Sequence, residues 1–133
     1  MKRILVAYDG EPPARKALET AIDLATGHDA SISVVSVVPI RLGRAPMDPW
    51  DDTVVHEAAL DEAKQILAEH GMTADLMEPI GDPAATIERI ANDGGFDTVV
   101  IGSRSLGRVS RLLQGSVSGH VATHAHATVV IAR

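Results

Sequence analysis

The chain contains no cysteine, which excludes a disulfide framework and any thiolate metal site. Aromatic residues make up 2% of it, with one Trp, one Tyr and one Phe among 133 residues. Ala, Val, Ile and Leu must therefore fill the interior, as expected for a parallel sheet packed between helices. No apolar run approaches the roughly 18 residues that a membrane-spanning helix requires, so no membrane association is expected. The start, Met1-Lys2-Arg3 followed by a short strand-like run, lacks the apolar core and cleavage site of a signal peptide, and the expected location is the cytoplasm. Basic residues are outnumbered, 12 against 18 acidic, for a formal charge of −6. That balance argues against a nucleic-acid partner.

What is present is a regular alternation of strand-like and helix-like segments. The run Ile4-Leu5-Val6-Ala7 is stopped by Asp9-Gly10, and Pro12 suits the first turn of a helix. Ala14, Ala17, Leu18, Ala21, Ile22 and Ala25 recur at helical spacing, with Gly27 closing the segment. The β-branched run from Ile32 to Val38 reads as a strand ended by Pro39. Residues Pro39 to Pro49 hold three prolines and a glycine without period and read as a surface loop. Trp50 reads as a hydrophobic anchor for that loop or for the next helix. This helix runs from about Asp52 to Gly71, with Val55, Ala59, Ala63, Ile66 and Leu67 inward. Ala74 to Pro79 is a weaker, edge-like strand.

Asp82 and Pro83 read as N-cap and first residue of a third helix. Its inward face is Ala84, Ile87, Ile90 and Ala91, and Gly94-Gly95 end it. Then come a strand from Thr98 to Ile101, a helix from about Ser116 to Ala125, and a last strand from Thr128 to Ala132. The order βαβαβαβαβ predicts one α/β domain over residues 1–133, an open five-stranded parallel sheet with helices on both faces.

The chemistry concentrates where the fourth strand empties into Gly102-Ser103-Arg104-Ser105-Leu106-Gly107, followed by Gly115-Ser116-Val117-Ser118. Glycine-rich turns and helix N-termini both present backbone N–H groups suited to phosphate. Arg104, Arg108 and Arg111 cluster around this connection and add positive charge. The competing reading is a solvated loop and a plain N-cap. In open α/β sheets ligands bind beyond the carboxyl ends of the strands, where Asp9 and Gly102 would face the same opening. For Asp9, a turn-forming role stands level with a ligand role. The spacing is neither a Walker A, which ends in Gly-Lys-Ser/Thr, nor the dinucleotide fingerprint, which belongs after the first strand. His120 and His124 are four apart with His126 nearby, but without the Glu of a His-Glu-x-x-His site they read as structural or surface residues, and no metal is assigned. His28, His56 and His70 look isolated.

Three segments carry a resemblance over essentially the whole chain: Ile4-Leu5-Val6-Ala7-Tyr8-Asp9-Gly10, Phe96 to Arg104, and Leu112-Leu113-Gln114-Gly115-Ser116-Val117-Ser118. The chain resembles the small, single-domain universal stress proteins. Nucleotide-binding members carry a Gly, two residues, a Gly, nine residues, then Gly and Ser or Thr. Gly102 matches the first position and Gly115-Ser116 the last, while the second glycine is Ser105 here. If that position requires positive φ, Ser adopts it at a cost of order 1 kcal/mol or more. Gly107 supplies freedom two residues later.

The resemblance implies that adenosine lies against Ala7, Asp9 and Val37. It puts the phosphates between Gly102-Ser103-Arg104 and Ser116-Val117-Ser118, with ATP as ligand and a divalent cation such as Mg²⁺ riding on the phosphates. It also implies a stress-response role and a homodimer through Thr128 to Ala132, an apolar strand that could pair with its own copy. A nucleotide-binding regulatory protein that signals to a protein partner is the first expectation. A slow ATP hydrolase, with Asp9 and Arg104 as the groups on offer, lacks a residue pair of diagnostic spacing, so no enzyme is expected. A nucleotide-free interaction protein, with Ser105 marking a lost site, is the third reading. A response-regulator receiver is rejected, because Glu78-Pro79 and Ala132-Arg133 stand where a phosphoacceptor Asp and a Lys would be needed.

Overall fold

Short β-branched and small apolar runs can be buried on both faces only in a sheet covered on both sides, and that is how the chain uses them. The computed structural model describes residues 2–38, 49–102 and 127–132, with side chains from residue 56 onward in the second segment. The elements are β1 (Arg3–Ala7), α1 (Pro12–His28), β2 (Ser31–Val35), α2 (Pro49–Glu69), β3 (Ala74–Met77), α3 (Pro83–Asp93), β4 (Thr98–Gly102) and β5 (Thr128–Ala132). Among the described residues the sheet has five strands in the order β3-β2-β1-β4-β5. Every neighbouring pair is parallel, with Ile4 opposite Ile32 and Thr98, and Thr98 opposite Thr128. The predicted α/β class and open parallel sheet are therefore observed.

One face of the sheet is covered by α1 and α2. Ala14, Ala17, Leu18, Ala21, Ile22 and Ala25 of α1 are all buried, the same six that the helical period selects. They pack with Ile4, Val6, Val34 and Val100 and with Ala59, Ala63 and Leu67 of α2. The other face carries α3, whose Ala84, Ile87 and Ala91 meet Leu5, Ala7, Val35, Val37, Val99 and Ile101. Ile90 is only partly buried against this second cluster. Full burial of one such aliphatic side chain contributes about 1.5–3 kcal/mol.

Several boundaries differ from the sequence reading. α1 continues through Gly27 to His28, and Asp29 takes the left-handed conformation that ends it, with φ 53°. Asp is among the few residues that tolerate this conformation. β2 ends at Val35 rather than Val38, because β3 is only four residues long; beyond it a single parallel bridge joins Val38 to Ile80. α2 starts at Pro49, three residues earlier than Asp52, at a proline whose fixed φ and missing N–H suit a first helical position. For α3 the expectation holds in detail: Asp82 accepts a hydrogen bond from the Ala85 N–H at 3.0 Å. The loop from 39 to 48, the Trp50 side chain and the helix from 116 to 125 lie outside the described residues, as do His120, His124 and His126.

The starts of β1 and β4 are joined by Asp97. Its carboxylate accepts the Lys2 N–H at 2.7 Å and the Arg3 N–H at 3.1 Å through one oxygen, and the Thr98 hydroxyl at 2.9 Å through the other. These hydrogen bonds, that from Lys2 foremost, hold the Asp97 carboxyl below its usual range. At the same end, the Arg3 guanidinium donates to the Gly94 carbonyl and lies 4.6 Å from the Phe96 ring centre.

Candidate functional site

The carboxyl ends of β1, β2 and β4 meet at one end of the sheet, and the chain continues there as a set of hydrogen-bonded turns. The ladder runs past the strands: Tyr8 N–H donates to the Val35 carbonyl at 2.9 Å, Ser36 N–H to Met77 at 2.9 Å, and Val38 N–H to Pro79 at 2.8 Å. Ala7 and Val37 are both buried and share one apolar cluster with Ile101, on the α3 side. Three of the site residues expected from the sequence, Ala7, Val37 and Gly102, thus gather at the same end of the sheet, with Asp9 beyond β1.

Asp9 is partly exposed, and its Oδ1 accepts the Glu11 N–H at 3.0 Å. This closes an Asx turn that carries the chain from β1 into α1. The turn-forming role is therefore observed, and the same geometry leaves Oδ2 without a partner among the described residues. Gly10 takes φ +84°, a conformation open to glycine at no steric cost. A β-carbon at Gly10 would lie 3.5 Å from that of Ala59, so α2 forms the floor beneath the turn.

Gly102 is the last residue of β4, opposite Ala132, rather than the first residue after the strand. A β-carbon there would lie 2.6 Å from the carbonyl carbon and oxygen of Pro13. The glycine lets the first turn of α1 sit directly over the end of β4. Ser103, Arg104, Ser105, Gly107, Gly115, Ser116, Val117 and Ser118, together with Arg108 and Arg111, lie outside the described residues.

Two polar contacts flanking the site were not legible in the sequence. Tyr8, 2% exposed, donates its phenol proton to Glu62 Oε1 on α2. The same oxygen accepts Arg15 Nε at 2.6 Å, and Arg15 Nη2 donates to Oε2 at 3.2 Å. Burial, then Glu62, pushes the Tyr8 phenol well above the ordinary tyrosine range. The hydrogen bonds from Arg15, then from Tyr8, hold the Glu62 carboxyl below its usual value.

The second contact corrects the reading of His56 as isolated. It is a buried residue of α2 whose Nδ1 is hydrogen-bonded to the Ser36 hydroxyl, itself 1% exposed. Tyr8–Glu62 and Ser36–His56 are 54 and 20 residues apart in sequence, so no local pattern announces them. Next to His56, Glu57 faces Glu78 after β3; burial, then that like charge, raises the Glu78 carboxyl.

Ala7, Val37 and Ile101 form a small buried apolar cluster at this end of the sheet, and Asp9 lies partly exposed beyond β1. Among the described residues, no group of three or more His, Cys, Asp or Glu could hold a metal ion. No helix among them is long and apolar enough to cross a membrane.

Comparison with known proteins agrees with this architecture. The profile of the "Universal stress protein family" matches residues 1–133. The chain is 29% identical to the stress response protein NhaX of Bacillus subtilis, over 98% of this chain and 97% of that protein. It is 29% identical to the universal stress protein YxiE of the same organism, over 98% of each. Among solved structures, a universal stress family protein from Burkholderia pseudomallei superposes with a TM-score of 0.73 at 25% identity, covering 98% of this chain and 94% of that one. The universal stress protein from Archaeoglobus fulgidus in complex with dAMP gives 0.73 at 23% identity, covering 100% and 98%. A family protein from Arabidopsis thaliana with AMP bound gives 0.70 at 20%, covering 99% and 91%.

Proposed function

The chain belongs to the universal stress protein family, and from that premise we propose that it is a regulatory protein that binds an adenine nucleotide, ATP in the first instance, at the carboxyl end of its sheet. The observation that carries the reading is the convergence of Ala7, Asp9, Val37 and Gly102 on that end, with one Asp9 oxygen free to accept among the described residues. Similarly folded proteins hold AMP or dAMP, which supports the same ligand class here. In this reading Ala7 and Val37 contact the base and Asp9 the ribose. The backbone N–H groups and hydroxyls of Gly102-Ser103-Arg104, Ser105, Gly107 and Gly115-Ser116-Val117-Ser118 receive the phosphates, and Mg²⁺ rides on the phosphates. Occupancy changes a surface read by a protein partner in the cytoplasm. No step of catalysis is assigned to the chain.

A second reading, a nucleotide-free interaction protein, draws on two residues. Ser105 replaces the motif's second glycine, and Pro13 packing alone accounts for Gly102. Calorimetry with ATP and Mg²⁺ on the native chain and on Ser105→Gly separates the two. Micromolar binding by the native chain supports a nucleotide sensor. Binding by the glycine variant alone indicates a retained pocket that this protein no longer fills. Silence from both overturns the nucleotide reading.

A further inference from the structure

We propose that Glu62 is a positioning residue for the turn Asp9-Gly10-Glu11, a single carboxylate on α2 that holds both flanks of the turn against which a nucleotide would lie. The inference rests on the nucleotide reading for its ligand, and on geometry alone for the clamp. The turn is bounded on one side by Tyr8 and on the other by the first turn of α1. Tyr8 donates to Glu62 Oε1, and Arg15 reaches the same oxygen at 2.6 Å and Oε2 at 3.2 Å. Ala59 lies beneath Gly10, and residues 59 and 62 stand three apart on one face of α2. Floor and clamp thus come from adjacent positions of the same helix.

The Arg15–Glu62 pair is poorly placed to be a stability device. Its side chains are 51% and 36% exposed, and exposed ion pairs contribute little. What distinguishes it is the third member, a buried phenol at the end of β1. A fork of Arg15 fixes the carboxylate plane, and the fixed carboxylate fixes the phenol. The spacing between β1 and α1 is then set, and with it the direction of Asp9.

The test uses the full-length chain, with Glu62→Ala, Glu62→Gln and Tyr8→Phe, at a temperature where each is folded by circular dichroism. Two quantities are read: ATP affinity by calorimetry with Mg²⁺, and amide exchange of Glu11, whose N–H donates to Asp9, in ligand-free protein. Glu62→Ala is expected to weaken ATP binding about fivefold and to speed Glu11 exchange by a similar factor, the size of one lost hydrogen bond. Tyr8→Phe moves both in the same direction. The double variant adds little to Glu62→Ala, because both remove one link. Glu62→Gln keeps an acceptor for Tyr8 and Arg15 Nε and retains most of the native behaviour.

Unchanged affinity and exchange in Glu62→Ala overturn the proposal, as does a change in only one of them. Should Glu62→Ala not fold, Tyr8→Phe, which deletes one oxygen, decides the question by the same criteria. Should the native chain bind no nucleotide, the functional reading fails by itself. The Glu11 exchange then judges the clamp alone.

Discussion

Tyr8 is the one tyrosine of the chain, so its ionisation can be followed by absorbance without interference from another phenol. Its folded pKa lies above the ordinary value, chiefly through burial and then through Glu62. The folded state therefore favours the neutral phenol. The associated stability is complete below about pH 10, the ordinary tyrosine value, and is lost as pH rises toward the folded one. Native protein is expected to show no tyrosinate absorbance at pH 10, with the signal appearing together with alkaline unfolding. In Glu62→Ala the midpoint falls but stays above the ordinary value, because burial is the larger cause. A native midpoint at the ordinary value would contradict the buried position of Tyr8. At the same scale, Gly102 shows how one residue can carry two explanations. The glycine-rich motif marks it for phosphate, and the packing shows that Pro13 already requires it.

Among the elements, the joint between β1 and β4 is expected to weaken in acid. The Asp97 carboxyl is lowered by backbone hydrogen bonds from Lys2 and Arg3, and Glu62 by Arg15 and Tyr8. For a lowered carboxyl the unfolded chain takes up protons first, so stability is complete above the ordinary value of about 4 and falls as pH drops through the folded one. Glu78, raised by burial and Glu57, acts in the opposite sense and relieves a cost on protonation. The urea midpoint of the native chain is expected to decline below about pH 4. The decline should be shallower in Asp97→Asn, which starts from lower stability at neutral pH. Equal slopes in the two proteins would remove Asp97 from the acid response.

The elements also show what the sequence made legible. The period of α1 was readable because six small or aliphatic residues face one core with nothing polar among them. The cap of α3 was readable because Asp82-Pro83 acts within one turn. Asp29 was missed because Gly27 is the stronger local signal, yet the helix keeps Gly27 inside and turns on an aspartate. His56 and Glu62 were missed because their meaning lies in Ser36 and Tyr8, which only folding brings to them. Ala7 and Val37 were legible from sequence only as strand residues, and the family resemblance alone placed them in the candidate site. Ile101, which packs with them, was read only as the end of the fourth strand.

At the scale of the molecule, β3 and β5 are the two edges of the sheet among the described residues. β3 is short and is followed by Pro79, features that blunt an edge. β5 is apolar, with Val129 38% exposed and Ile131 partly buried, and among the described residues it pairs with β4 alone. A two-fold pairing of β5 with its own copy would cover that edge. Sedimentation at micromolar concentration is expected to give a dimer for the native chain and a monomer for Val129→Lys. A native monomer would set this mode of association aside.

The strand order has one more consequence, for the making of the molecule. β1 precedes the other four described strands in the chain, yet it lies at the centre of the sheet, and its second neighbour is β4, with Ile4 opposite Thr98. Contacts so distant in sequence are slow to form, since the intervening chain must be ordered before they are rewarded. On the ribosome, β1 through β3 can associate while one side of β1 still waits for residues made some ninety positions later. Throughout that interval Ile4, Leu5 and Val6 present an open apolar strand, the kind of surface that holding chaperones shield. Asp97, immediately before β4 and bonded to the backbone of Lys2 and Arg3, ties the start of β4 to that of β1 once both are made.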